Sequence, residues 1–343
     1  MINIETGRYW DLPLTLVSGC TPCSPGCEHC WSLAMERRFR PKADYGNGWK
    51  EPDRSIQTHP ERLDIPLKRK KPTVYSIWND LHHESNDKYF IAAAYGIASI
   101  CFRHTFLILT KRPDQMLKFH HASGTMNHWV INEALSRLRE DTKVSTFGIR
   151  KGLEYPWPLP NVWNGLTVCN QAEADEKLPI FLQVPGKKFL SIEPLLGEID
   201  IDQYLRCPVC GYTPHDVGFH MDHRLCKGPG PGINAVILGG ETGPGARPMH
   251  PDWVRSVRDQ CAPAGVPFFF KQWGCAVPDR DRLYRGNLKD AFWMLPDGTI
   301  GDRQPEPEGC TWMAKSTKAK AGRLLDGRTH DDLPWVKSKE VVA

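Results

Sequence analysis

Seven short apolar or β-branched runs alternate with helical patterns along most of this chain, and that alternation limits the fold more than any other feature. The runs are Leu14–Ser18, Val74–Trp78, Phe106–Thr110, Trp163–Val168, Phe189–Ile192, Ala235–Leu238 and Pro267–Phe270. Helical patterns lie among them at Cys30–Arg40, Asp87–Phe102, Asp114–His120, Val130–Arg139, Ala172–Gln183 and Pro251–Ala264. Strands alternating with helices imply parallel βαβ units and an α/β fold. Seven of them predict a complete or partial (β/α) barrel, with a doubly wound open sheet as the alternative that periodicity does not exclude. The segments after the runs favour the barrel, whose function collects where the strands end. They read Cys20–Cys30, Asn79-Asp80, Lys111-Arg112, Cys169-Asn170-Gln171, Glu193, Gly239-Gly240-Glu241 and Lys271-Gln272-Trp273, each polar, charged or metal-binding.

Composition bounds the rest. A chain of 343 residues, 40% hydrophobic and 24% charged, has material for one large α/β unit with insertions. The start, MINIETGRYWDLPL, has no basic segment followed by an apolar core, so no signal peptide is read. The apolar stretch Phe90–Phe102 is too short to span a bilayer and reads as a buried helix. Twelve cysteines without a secretory signal argue for reduced thiols, bound metal and a cytoplasmic location. The formal charge of +4 permits a polyanionic partner without requiring one.

Four of the cysteines, Cys20, Cys23, Cys27 and Cys30, fall in a C-x2-C-x3-C-x2-C array between a strand-like run and a helical pattern. Thiolates so crowded are suited to metal. A single tetrahedral zinc or a closed four-thiolate cluster are the plainer readings. Two triplets, Cys23/Cys27/Cys30 and the longer Cys20/Cys27/Cys30, instead leave one iron of a 4Fe–4S cluster open. The shorter one has the spacing of radical S-adenosylmethionine (SAM) enzymes. In those enzymes an aromatic side chain before the last cysteine lies near the adenine; His29 fills that place here, with Trp31 beside it.

The run SGCTPCSPGCEHCW, together with SIWNDLHHE, LILTKRP, NGLTVCNQ, FLSIEPLLG, VILGGETGPGARPMHPDWVRSVRDQC, VPFFFKQWG and AGRLLDGRTHDDLP, resembles a phage and prophage family of radical SAM-like proteins without an established function. The motifs run from about residue 14 to 334. The resemblance implies a (β/α) barrel of the radical SAM type over residues 1–275, a 4Fe–4S cluster, SAM as cofactor, and an electron donor such as flavodoxin or ferredoxin. It also implies that the first ligand is Cys20, with Cys27 and Cys30 completing the set and the added Cys23 as the alternative.

Other candidates stand at the remaining strand ends. Gly239, Gly240 and Glu241 form a loop that lets backbone approach a ligand, with Glu241 facing an ammonium or ribose hydroxyl of SAM. Glu193, Lys111 and Lys271 are the candidate catalytic residues, the lysines suited to carboxylate or phosphate; each has a structural ion pair or plain solvation as its ordinary alternative. Arg112 adds positive charge beside Lys111; Asn79, Asp80, His82 and His83 are weaker candidates, and Cys169 and Cys275 are remote candidates for hydrogen donation to a radical. Residues 205–232 read as a zinc-binding insertion: Cys207, Cys210, His223 and Cys226 have short zinc-finger spacing, with His220 competing for the third place. Residues 276–343 form an extension with a basic segment (Lys315, Lys318, Lys320, Arg323, Arg328). The expected function is radical SAM chemistry on a nucleic-acid base, DNA foremost. A zinc-stabilised nucleic-acid-binding protein without catalysis, and a radical enzyme for a small metabolite or peptide, are the alternatives.

Overall fold

The computed structural model describes residues 2–32, 42–44, 50–52, 55–121, 126–138, 156–207, 232–279, 291–302 and 306–336. Its centre is a sheet of seven strands: β1 (Leu12–Leu14), β2 (Val74–Ile77), β3 (Thr105–Thr110), β4 (Val162–Thr167), β5 (Lys187–Ile192), β6 (Val236–Gly239) and β7 (Phe268–Gln272). All neighbours are parallel and the spatial order is the chain order. An order without reversal excludes the doubly wound sheet, which reverses at a switch point. β1 and β7 do not pair, so the sheet curls into a half-barrel.

Among the described residues the long helices pack with one face of the sheet. The convex face packs Tyr75, Ile77, Phe106, Ile108, Leu190, Ile192, Leu238 and Phe270 with helix residues in one core cluster. The covering helices are α1 (Lys88–Ile100), α2 (Pro113–His121), α3 (Met126–Arg137), α4 (Gln171–Phe181) and α5 (Pro251–Cys261). Three of them start on side-chain caps. The Asp87 carboxylate accepts from Tyr89 N at 3.1 Å, Asn170 Oδ1 from Glu173 N at 3.0 Å, and His250 Nδ1 from Asp252 N at 3.2 Å ahead of Pro251. The stretch expected to be a buried helix is α1, in which Phe90–Ser99 are buried and Phe102 beyond it is exposed. Among the described residues no helix is long and apolar enough to cross a membrane.

The concave face has its own cluster: Tyr9, Val74, Leu107, Trp163, Phe189, Ala235, Ile237, Phe269 and Leu333, with Ile2, Ile4 and Trp335 packed on it. Most of these strand residues lie in the N-terminal halves of their strands. Chain-terminal segments therefore pack against the concave face of the half-barrel.

Three features differ from the sequence reading. The run Leu14–Ser18 is not one strand: β1 ends at Leu14, and Val17–Ser18 pairs antiparallel with Gln57–Thr58. The extension holds a four-stranded antiparallel sheet: β8 (Ala276–Pro278), β9 (Ala291–Met294), β10 (Ile300–Gly301) and β11 (Thr311–Lys315), ordered β8-β11-β9-β10. Beyond it the chain returns to the barrel. Phe270 N donates to His330 O at 3.0 Å and Phe269 bridges Asp331, covering the otherwise open edge of β7. As for the insertion, Cys207 is buried after a short helix, while Cys210, His220, His223 and Cys226 lie outside the described residues. Most of the expected helix Cys30–Arg40 also lies outside them.

Candidate functional site

Because all seven strands are parallel, every loop that follows one emerges at the same mouth. The cysteine loop is anchored there from two sides. From the β3 side, the Arg112 guanidinium donates through Nη2 to Thr21 O and Oγ1, both at 2.9 Å, and through Nη1 to Asp80 Oδ2 at 2.9 Å. Its Nε reaches Glu84, and its Nη1 lies 4.0 Å from Cys20 Sγ. Asp80 also accepts from Thr110 Oγ1 at 2.6 Å, Lys111 N at 3.3 Å and His82 N at 3.1 Å. From the β6 side, Arg247 Nη2 donates to Pro25 O at 2.9 Å and Nη1 pairs with Glu28 at 3.0 Å. Ser24 caps the turn Pro25–Cys27 by accepting from Gly26 N at 3.2 Å.

Gly26 sits where the two anchors converge. A Cβ there would lie 2.4 Å from Cys169 Sγ, 3.0 Å from Pro194 Cδ and 3.2 Å from Lys111 Nζ. Gly26→Ala is therefore expected to cost about 1–3 kcal/mol by overpacking. Adding Cys169→Ala should restore most of it, as read from urea midpoints. Equal stability of the single variant and the parent would remove Gly26 as the crossing point.

Cys20, Cys23 and Cys27 differ electrostatically. The Cys23 thiol hydrogen-bonds Cys27, which lowers the Cys27 pKa to about 5 against the opposing effect of burial. Lys111 Nζ, 3.5 Å from Cys27 Sγ, pulls in the same direction. As the donor of that bond, Cys23 has its own pKa raised. Burial and Asp80 push Cys20 up to about 11 despite Arg112. Burial works against the charge of Lys111, but Cys169, Cys27 and Cys30 outweigh it and raise its pKa. A thiolate beside a cation is the reactive and metal-binding form of cysteine.

Around the mouth the structure brings most predicted residues together. Lys271 Nζ pairs with Glu193 Oε1 at 2.8 Å, Ser191 Oγ donates to Glu193 Oε2 at 3.1 Å, and Tyr9 hydrogen-bonds the same carboxylate. Gly239 leaves room for that carboxylate: a Cβ would lie 2.8 Å from Oε1. His29 packs on Gly245, a position with φ +75° whose Cβ would lie 2.9 Å from His29 Cε1. Trp31 is half-exposed and meets Trp78 edge-on at 4.7 Å. Cys169 Sγ is 3.9 Å from Ser24 Oγ, and Cys275 Sγ is 3.7 Å from Gly243 O.

Other candidates hold the scaffold. Glu241 is buried, and both its oxygens accept from Arg247, at 2.6 Å from Nη2 and 2.9 Å from Nε and N. Burial opposes the Glu241 charge, but Arg247 lowers its pKa overall. His83 Nε2 bonds Thr21 Oγ1 at 2.8 Å, and Asn79 Nδ2 donates to Val17 O at 2.9 Å, both steadying the loop. His82 turns into the helix layer, 3.1 Å from Tyr95 OH. The sequence reading gave Arg247 no role. Its signal was a lone cation closing a glycine-rich turn that also contains a carboxylate.

Among the described residues no three His, Cys, Asp or Glu side chains are drawn together at metal-ligating distances. In donor chemistry the loop suits a thiophilic metal group: soft sulfur ligands, with Lys111 and Arg112 beside them. Fold and site together define a parallel α/β half-barrel with a cysteine loop at its C-terminal mouth. The chain belongs to the family described as protein of unknown function (DUF5131), whose model matches residues 7–334. No solved structure matches it.

Proposed function

We propose that this protein is a radical SAM enzyme whose 4Fe–4S cluster is held by Cys20, Cys27 and Cys30. The observation that carries the reading is the position of the cysteine loop, after β1 at the C-terminal mouth of a parallel half-barrel, with Lys111 against the Cys27 thiolate. Such a cluster, when bound, supplies the electron that cleaves SAM reductively, drawn in turn from a donor of the flavodoxin or ferredoxin type. Lys111 and Arg112 offset the negative charge that gathers on the thiolates. Cys23 donates to Cys27 and is the spare member of the array.

Across the mouth, the Glu193–Lys271 pair supplies an acceptor and a donor for a substrate or for SAM's amino-acid end. His29, against Gly245, offers a ring face for adenine. The substrate we favour is a nucleic-acid base, with DNA foremost. Anaerobic purification, reconstitution with iron and sulfide, and chromatography of SAM digests test the reading. The expected result is four irons per chain and release of 5′-deoxyadenosine. A reconstituted protein without iron and without cleavage overturns it, and oligonucleotide binding in that protein would favour a non-catalytic nucleic-acid-binding role.

A further inference from the structure

The N-terminal segment spans the open seam of the half-barrel. Tyr9 packs on Phe269 of β7 with ring centroids 6.1 Å apart, and Lys271 Nζ lies 5.5 Å over the Tyr9 ring. Two residues on, Asp11 N donates to Val74 O at 2.8 Å and Val74 N donates back to Asp11 Oδ2 at 2.8 Å, fastening the segment beside β2. Arg8 and Trp10 are carried between these two anchors.

Two independent features meet there. One is a row of indoles: Trp10 meets Trp78 edge-on at 5.8 Å, and Trp78 meets Trp31 at 4.7 Å. Trp31 is 48% exposed, the end of the row next to Cys30, and Arg8 lies over the Trp10 ring at 4.8 Å. The other is an excess of positive charge. Lys318, delivered by the segment after β11, stands close enough to Lys271 and Arg8 to feel both cations, and close to Glu193. Three cations face one carboxylate, which Lys271 already pairs.

We infer that this seam binds single-stranded nucleic acid, with bases against the Trp31–Trp78–Trp10 row and phosphates on Arg8, Lys318 and Lys271. The reasoning is charge complementarity combined with aromatic faces: a polyanion whose every repeat carries a flat ring matches both, and base stacking on such rings tolerates any sequence. Duplex hides its base faces and matches the cations alone. In giving the mouth a polymer substrate, the inference rests on the reading of that mouth as the substrate site.

The test needs neither cluster nor SAM. Binding of a fluorescein-labelled oligothymidylate of about 12 nucleotides, a length within OB-type site sizes, is followed by anisotropy over a salt series. Trp31→Ala is expected to weaken it about tenfold, the usual cost of one lost stacking face. Arg8→Ala and Lys318→Ala, both at exposed positions, should each reduce the salt slope by about 0.7. Far-ultraviolet circular dichroism matching the parent confirms that the variants are folded. Unchanged affinity in all three variants, or duplex bound as tightly as single strand, overturns the inference. So does thymidine monophosphate or SAM competing as well per mole as the oligomer, which would assign the row to a small ligand. A protein that cleaves SAM but ignores the oligomer sinks this inference alone; one that binds the oligomer without cleaving SAM sinks only the enzyme reading.

Discussion

Cys27→Ala is expected to leave the reconstituted protein without iron and without SAM cleavage, whereas Cys23→Ala retains both. The Cys23 hydrogen bond and Lys111 at 3.5 Å both lower the pKa of Cys27. A cluster ligand must be deprotonated, so this is the sulfur already prepared for metal. Cys23 contributes to that preparation by donating its proton. Its removal should raise the Cys27 pKa and slow alkylation of the metal-free protein near neutral pH, yet leave the iron content unchanged. Cys20→Ala should lose iron as Cys27→Ala does. The reverse outcome, iron kept without Cys20 and lost without Cys23, assigns the ligands to Cys23, Cys27 and Cys30. Iron and sulfide analysis of the three variants decides between them.

Arg112→Met should be the most destabilising single change at the mouth. Arg112 and Asp80 are each 8% exposed in their side chains and 2.9 Å apart. Removing one partner of a buried pair leaves the other charge uncompensated, at a cost of about 3–5 kcal/mol. The same change removes both hydrogen bonds to Thr21, so the cysteine loop loses its attachment to the β3 side. Asp80→Asn in the Arg112→Met background should recover part of the loss, because the neutral amide no longer needs a counter-charge. Urea denaturation of the two singles and the double measures the coupling. A loss below about 1 kcal/mol for Arg112→Met, the range of an exposed pair, would show that the cluster is solvated and not a structural anchor.

Both expectations rest on contacts of very different legibility. Six of the seven strands of the half-barrel stand where the apolar runs predicted them, within a few residues, because each run buries its side chains on the sheet and ends at a polar mouth. The run at Leu14–Ser18 misled because five apolar or small residues in a row look the same whether the chain continues straight or leaves the sheet after Leu14. The antiparallel sheet of the extension was missed for a related reason. Its strands are two to five residues long and pair across irregular segments, too short for periodicity to register. Glu241 and Glu193 read alike as strand-end carboxylates. Only folding gave the first to Arg247 six residues along and the second to Lys271 in β7, two strands away.

What the amino-acid sequence determined by itself is the set of parallel strands, the helices between them, and a thiol-rich loop after the first strand. These follow from local hydrophobic period and from residue spacing, which need no partner elsewhere. The tertiary structure alone decided that the sheet stops at half a barrel, that Arg112 and Arg247 clamp the loop from opposite sides, and that Lys111 stands against Cys27. Each of those depends on groups brought together from distant parts of the chain, where a few ångströms change a solvated cation into the counter-charge of a buried acid.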